Sequence, residues 1–595
     1  MAASEANKEL AGMFAQMARV LDLKGGGFRA VSFQKVSRLL DEMSQDVKAL
    51  HDEGGTKAVE ALAGIGKSSA KIIDDFFTTG ASPDHDELLA SVPPGVLAML
   101  DIPGMGPKTA QAVWQERDIT TIDKLSAAIA DGSLSDLKGL GKKKLEAIQQ
   151  GIDLLARGNK RRGIGSAAKV VNAMLDRLLD LPDVKRAEPA GSFRRGKETV
   201  GDLDFLVVTD KPADTLTAFA EFPEVERVLV KGDAKCSIVT KDGLQCDCRV
   251  VPEAHYGAAM MYFTGSKEHN TRLRGIALER KHTLNDWGVF EKDAWEEHQK
   301  SRKTGGIPTL KPAAAKSEEE IFEWFGMQWV PPEMREDKGE IELAAEGKLP
   351  KLIEQGDLKG DLHTHTTASD GTASIVEMAE AAKALGYTFL AITDHSKSQI
   401  QANGLDADRL LKHADAIRRA NDEVKGIELL AGTECDILSD GRLDYADDIL
   451  AQLDWVVASP HAALKQDAKK ATDRILRAID SPYVNAIGHP TGRLINKRDG
   501  LPLDMAKVIA RAKETGTALE INAAYPRLDL NDLHARMAVE AGAMLTINTD
   551  AHTTRSLAAM HLGLCVARRA WATRADVLNC QTPAAIKKWV AKKRA

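Results

Sequence analysis

From residue 361 to residue 552 the chain repeats one local arrangement, a short apolar run that ends on a histidine or a carboxylate. The series begins with Asp361-Leu362-His363-Thr364-His365 and Ser369-Asp370-Gly371. It continues with Phe389-Leu390-Ala391-Ile392 before Asp394-His395, then Gly432-Thr433-Glu434, then Trp455-Val456-Val457 before Ser459-Pro460-His461. Gly488-His489-Pro490 and Met544-Leu545-Thr546-Ile547 before Asp550-Ala551-His552 complete it. Ala-rich helical stretches separate the runs, and strands alternating with helices predict an α/β barrel. In such a barrel, active sites assemble at the C-terminal strand ends. His363 and His365, two apart on a strand, share one face. A single strand-end histidine is an ordinary structural residue, whereas six or more at successive ends point to metal. Imidazole and carboxylate without thiolate suit Zn²⁺, Mn²⁺ or Fe²⁺. His413, His534 and His561 fall outside the pattern and read as ordinary.

A second carboxylate constellation lies upstream. Gly191-Ser192-Phe193-Arg194-Arg195-Gly196-Lys197 is followed by Gly201-Asp202-Leu203-Asp204 and the apolar run Phe205-Leu206-Val207-Val208. The two-residue period of a strand puts Asp202 and Asp204 on one face, where they can share Mg²⁺. Asp247, in Gln245-Cys246-Asp247-Cys248-Arg249, would supply a third carboxylate to a two-metal cluster. The Gly191-Ser192 turn offers donors to a triphosphate, and Arg195 adds a fork of N–H groups. A bare Asp-x-Asp occurs in many surface turns; the preceding Gly-Ser turn is what sets this one apart. Cys246 and Cys248 flank Asp247, point to the opposite face, and read as buried thiols.

The first 160 residues read as helices carrying an internal repeat: Gly64-Ile65-Gly66, Gly104-Met105-Gly106 and Gly139-Leu140-Gly141. Each Gly-x-Gly is followed by a helical stretch with Lys67, Lys108 or Lys142 close behind. Glycines permit positive φ and close approach to a ligand, and the next helix start presents N–H groups to an anion. The repeat predicts helix-hairpin-helix contacts to a nucleic-acid backbone. Position 61 is alanine, which excludes a Walker A loop for the first copy.

At 595 residues the chain is too long for one core, and about three to five domains are expected. Its net charge of −7 argues against coating nucleic acid through bulk charge, so contact must be local. Six cysteines in this length suggest no disulfide framework. No signal pattern and no membrane-spanning apolar run is evident, and the expected location is cytoplasmic.

Gly-Ser-Phe-Arg-Arg-Gly…Gly-Asp-x-Asp, with Tyr262-Phe263-Thr264-Gly265-Ser266 and Asn270, resembles the family X DNA polymerases of the polymerase beta group over residues 1 to about 335. The resemblance implies that Asp202 and Asp204 hold both metals, Mg²⁺ or Mn²⁺, and that Asp247 holds the catalytic one. Gly191, Ser192 and Arg195 would contact the triphosphate. Tyr262, Phe263 and Gly265 would line the sugar pocket, with Asn270 at the base edge and Arg274 on the template side. One departure stands out: the family's lyase lysine aligns with Ile72, and the adjacent Lys71 is rotated by about 100° on a helix. Lyase activity is therefore doubtful.

The histidine series resembles the PHP (polymerase and histidinol phosphatase) family, which implies a distorted TIM-like (β/α)7 barrel. The full implied ligand set is present: His363, His365, Asp370, His395, Glu434, His461, His489, Asp550 and His552. The expected grouping of three divalent metals places His363, His365, Glu434 and Asp550 on the first. Glu434, His461 and His489 would hold the second, and Asp370, His395 and His552 the third. The expected domains are helical segments at 1–85 and 86–158, a nucleotidyltransferase palm at 159–253, and a nucleotide-selection subdomain at 254–334. A linker at 335–357 and the barrel at 358–595 complete the chain, with residues 302–318 an exposed loop. Together the resemblances imply short-gap filling with deoxynucleoside triphosphates and Mn²⁺-favoured 3′-5′ trimming of gapped or 3′-recessed DNA by a monomer. The alternative is a DNA-end-binding scaffold whose barrel is a small-molecule phosphatase.

Overall fold

The computed structural model describes residues 5–595 apart from 26, 44, 45, 63, 101, 103, 104, 138, 157–160 and 302–306. The chain forms two compact units, Met1–Asn159 and Lys160–Ala595.

The first unit is helical throughout its described residues. Helices Glu5–Leu23, Gly27–Glu42, Val47–Glu60 and Lys67–Thr79 pack around Phe14, Phe33 and Ile72. Helices Pro94–Met99, Pro107–Arg117, Ile122–Ala130 and Lys142–Ala156 close a second core around Met99, Leu125 and Ile148. Local chemistry sets the ends. Ser82 caps the helix Pro83–Ala90 by accepting from His85 N–H, with proline at its first position.

The second unit holds two sheets of different kinds. The palm sheet has β1 (Val184–Pro189), β2 (Asp202–Thr209), β3 (Val225–Lys231), β4 (Lys235–Thr240) and β5 (Gln245–Val250) in the order β1-β2-β5-β4-β3. Only β2 and β5 pair in parallel. Phe205, Val207, Cys246 and Cys248 face a core closed by the helix Ile164–Leu179. Cys246 and Cys248 are free, buried thiols, as expected.

The barrel strands are β6 (Gly360–Thr364), β7 (Phe389–Ile392), β8 (Glu428–Asp436), β9 (Trp455–Ser459), β10 (Ala486–Ile487), β11 (Ala518–Asn522) and β12 (Leu545–Asn548). They run parallel in sequence order. Asn548 Oδ1 accepts from Leu362 N–H at 3.1 Å, and the Ala551 carbonyl from His365 N–H at 2.9 Å, bringing the last strand back to the first. This is the (β/α)7 fold that the PHP resemblance implies. Almost every strand residue is buried, which explains the unbroken apolar runs.

Two expectations fail. Residues 335–357 form no solvated spacer: Ile341, Ala344 and Leu352 join one core with Phe322 and with Trp571 from beyond the barrel. The charges that made the segment look exposed are paired, Arg335 with Glu318 at 2.5 Å and Glu340 with His269 at 2.7 Å. The stretch 302–318 is likewise only partly an exposed loop, since Ala314, Ala315 and Glu318 are buried and Ala313 N–H bonds the Val289 carbonyl at 2.7 Å. Its first residues, 302–306, lie outside the described residues.

Candidate active sites

The palm site follows from the register of two strands. Asp204 on β2 stands directly opposite Asp247 on β5, and Asp202 opposite Gln245. The Gly191 turn rises beside them with φ of +60°, and a Cβ there would meet Asp204 Oδ2 at 2.4 Å. Only glycine satisfies both demands. Beside the turn opens a cavity of about 840 Å³. Every residue predicted for nucleotide binding lines it: Gly191, Ser192, Arg195, Tyr262, Phe263, Gly265, Asn270 and Arg274, together with Asp202 and Asp204. Asn270 is fixed by donating to the Tyr262 carbonyl at 2.8 Å.

Burial, reinforced by the charges of Asp202 and Asp247, pushes the Asp204 carboxyl up to about 7. Burial and Asp247 also raise Asp202. Crowded carboxylates that resist ionisation are a site that a cation would relieve. The three do not yet form one ligand group. Among the described residues, the clusters of potential metal ligands all lie in the barrel. Asp247 is not among the residues that line the cavity; Lys235 Nζ donates to its Oδ2 at 2.5 Å and Gln245 Nε2 to its Oδ1 at 3.2 Å. Lys235, unnoticed in the sequence, supplies the positive charge that holds it there.

In the barrel, six of the seven strands contribute. His363 lies on β6 and Glu434 on β8, while His395, His461, His489 and the Asp550–His552 pair come just after β7, β9, β10 and β12. Glu434 is the hub. Its Oε1 lies 3.4 Å from His363 Nε2, 3.3 Å from His461 Nε2 and 2.9 Å from His489 Nε2. Its Oε2 lies 2.8 Å from His395 Nδ1 and 3.6 Å from His365 Nε2. Three groups of ligand atoms result: His363, His365, Glu434 and Asp550; His395, Glu434 and His461; His365, Asp370, His395 and His552. The first matches the expected grouping. The second and third differ from it, because His395 and His365 each reach a neighbouring group while His489 meets Glu434 from outside the three.

Burial pushes the Glu434 carboxyl up, but the charges of His461, His363 and His395 outweigh it and hold it well below the usual range. Burial and the neighbouring His395 drive His365 down to about 4. Buried ligand atoms without a hydrogen-bond partner, His363 Nε2, both His365 nitrogens, Glu434 Oε2 and Asp550 Oδ1, converge here. Such orphaned atoms are costly unless a cation completes them, so the donor set fits divalent metal.

Residues that sequence reasoning missed orient these ligands. Glu520 on β11 accepts from His363 Nδ1 at 2.8 Å and Asp436 from His461 Nδ1 at 2.6 Å, leaving each Nε2 aimed at Glu434. Asp394 is gripped by Thr366, Ser369 and His413. His413 is thus a bracing residue and His561 bonds a backbone carbonyl; neither joins a ligand group. Arg527 faces the cluster, its Nε 3.5 Å from Asp550 Oδ2. An isolated Glu inside an apolar strand was the available signal for Glu520.

In the helical unit, Gly64 and Gly139 have φ of +99° and +85°. Gly66, Gly106 and Gly141 accept the first bonds of the helices after them, at 2.9, 3.0 and 3.1 Å. Gly104 lies outside the described residues. Ile72 is buried, and Lys71 points outward to Asp75 at 3.2 Å, so no lysine occupies the lyase position.

Fold and sites together define a protein of divalent-metal phosphoryl chemistry, a nucleotidyltransferase palm joined to a polynuclear phosphoesterase barrel. Family models match for a DNA polymerase beta thumb at residues 259–336, a PHP domain at 361–523 and a SAM-like helix-hairpin-helix tandem at 96–153. The chain is 36% identical over 578 residues to the DNA polymerase/3′-5′ exonuclease PolX of Bacillus subtilis (strain 168), covering 97% of each. A probable phosphatase of Thermoanaerobacter sp. (strain X514) is 32% identical over 230 residues, 37% of this chain and 89% of that protein. A probable phosphatase of Shewanella sp. (strain MR-4) is 30% identical over 243 residues, 39% and 91% of the two chains. The chain belongs to the PolX family of DNA polymerases that carry a PHP domain.

Proposed function

We infer that the chain is a family X DNA polymerase whose PHP barrel is a metal-dependent 3′-5′ exonuclease. The carrying observation is that two separate sites coexist in one chain similar over 97% of its length to PolX: a cavity lined by the nucleotide residues, and a cluster converging on Glu434. Both depend on divalent metal. Asp202, Asp204 and Asp247 would hold Mg²⁺ or Mn²⁺, and the barrel groups Zn²⁺, Mn²⁺ or Fe²⁺. When bound, such ions neutralise phosphate charge and activate water.

This chain's own residues do the rest. Ser192 and Arg195 bind the triphosphate, Tyr262, Phe263 and Gly265 the sugar, Asn270 the base edge and Arg274 the template side. Glu520 and Asp436 hold their histidines so that Nε2 faces the cluster. The glycine turns grip the DNA backbone on either side of a short gap, as a monomer in the cytoplasm. The probable phosphatases cover 37% and 39% of this chain, while the Bacillus subtilis polymerase and exonuclease covers 97% of it, so a small-molecule phosphatase on a DNA scaffold is not favoured. Asp202→Ala and His363→Ala, assayed for primer extension and 3′ trimming with Mg²⁺ and Mn²⁺, test the reading. Extension is lost only in the first and trimming only in the second. Loss of both activities from either variant would refute two independent sites.

A further inference from the structure

The nucleotide cavity is not built by the palm and thumb alone. Asp532, from a helix of the barrel half, lines it. At its wall, Arg195 Nε donates to Glu336 Oε1 at 3.2 Å, and its Nη1 donates to the Thr264 carbonyl. Glu336 receives a second guanidinium, Arg569 Nη1 at 3.0 Å, and that same nitrogen donates to the Arg195 backbone carbonyl at 2.8 Å. Arg569 Nε is in turn braced by Asp532 Oδ2 at 2.8 Å. Arg569 belongs to the barrel helix Met560–Arg569 and is only 3% exposed. The helix sits flush on the turn, since a Cβ at Gly196 would lie 3.2 Å from Cys565 Cβ.

The chemistry gives this chain of contacts a direction. Glu336 is an anion in the wall of a pocket that must receive a triphosphate. With only Lys197, 3.5 Å away, and Arg195 facing it, Glu336 would draw the Arg195 guanidinium more fully to itself. Arg569 shares Glu336 and also pins the Arg195 backbone, so the Arg195 side chain is held from behind with its remaining donors free for the cavity. A buried, multiply bonded guanidinium that touches neither the cavity nor the metal cluster has no direct part in either reaction.

We propose that the PHP barrel supplies positioning residues to the polymerase pocket: Arg569, braced by Asp532, fixes Glu336 and the Arg195 backbone so that the Arg195 guanidinium is presented to the nucleotide's phosphates. The proposal rests on the reading of Arg195 as a triphosphate ligand. It makes nucleotide affinity, and not the chemical step, the quantity the barrel controls.

The test uses the full-length protein on a single-nucleotide gap with Mg²⁺, with Mn²⁺-dependent hydrolysis of bis-p-nitrophenyl phosphate as an independent readout of the barrel. Arg569→Met raises the KM for the incoming nucleotide about ten-fold, with kcat within about two-fold. Phosphodiester hydrolysis is unchanged. Arg569→Lys recovers part of the KM. Asp532→Asn, which keeps the shape and removes only the brace, gives about a two- to three-fold rise and decides the matter if Arg569→Met does not fold. Arg195→Ala raises KM by itself, and adding Arg569→Met to it changes KM no further, because the two act through one contact. An unchanged KM in Arg569→Met or Asp532→Asn, beside a raised one in Arg195→Ala, overturns the proposal. So does a proportional fall of both activities in Arg569→Met. An unchanged KM in Arg195→Ala instead defeats the underlying reading of that residue.

Discussion

Glu520 Oε1 lies 2.8 Å from His363 Nδ1, deep in the barrel and with no exposure to solvent. The same carboxylate accepts from Asn548 and from the backbone N–H of His489, so one side chain orients the His363 ring and holds the His489 backbone. Glu520→Gln should weaken metal binding about 10–100-fold. Mn²⁺ titration of exonuclease activity checks this, with primer extension as the internal reference. A Mn²⁺ midpoint equal to that of the unaltered protein would show that Glu520 is only a packing residue.

Gly191→Ala places a Cβ 2.4 Å from Asp204 Oδ2 at a φ of +60°. The turn must shift away from the carboxylates it serves, and a displacement of about 1 Å in such a site costs about 100-fold in rate. Primer extension should fall by that order while trimming survives. Extension within a few-fold of normal would mean that the turn has room to spare beside Asp204.

Glu318 joins Arg194 at 2.8 Å and Arg335 at 2.5 Å. Burial pushes its carboxyl up, but Arg335 and Arg194 overcome this and leave it well below the usual value of 4.5. The depressed value means that its stabilisation is fully present above pH 4.5 and declines as the pH falls below that toward the folded-state value. Glu318→Gln leaves two guanidiniums short of a counter-ion and should cost about 3–5 kcal/mol at neutral pH. Thermal unfolding from pH 7 to pH 3 reads both effects: a lower Tm for the variant at neutrality, and a shallower acid dependence below about pH 4.5. Parallel curves would contradict the pairing.

Chelation should destabilise the protein measurably. The barrel gathers three groups of largely buried imidazoles and carboxylates, and a ligand present at about 100 times its Kd adds about 2.7 kcal/mol to stability. Scanning calorimetry with Mn²⁺ and with EDTA should show a higher Tm in the metal. The shift should shrink in His363→Ala.

A Schiff base with an abasic-site end needs a lysine at the position of Ile72, which is buried. Borohydride treatment of the protein with incised abasic DNA should therefore trap no adduct that Lys71→Ala removes. A Lys71-dependent adduct would restore the lyase reading.

The residues that cluster at the barrel rim were readable from sequence for a simple reason. Barrel strands are short and apolar, and the residues just past each strand end are brought to one rim, so His395, His461 and Asp550 announced themselves by position. Their orienting partners did not, because Glu520 meets His363 across 157 positions of chain, through a closure that no local pattern encodes. Asp436 had a local signal, two residues beyond Glu434 on the same strand. The stretch 335–357 misled through its charges: Glu340 reads as a surface residue until His269 is set against it. Lys235, Glu336 and Arg569 share that obscurity, since each matters through a partner on another element.

Trp571 in the core beneath the thumb has a practical corollary for anyone dividing this gene. A fragment beginning near residue 358 would carry Trp571 but leave behind Ile341, Ala344 and Leu352, its companions in that core. It would also lose the Glu198 partner of Arg493, 2.6 Å away. Such a truncated product would bare an oily flank to solvent and clump, so the enzyme is best treated as inseparable from residue 160 to its last helix.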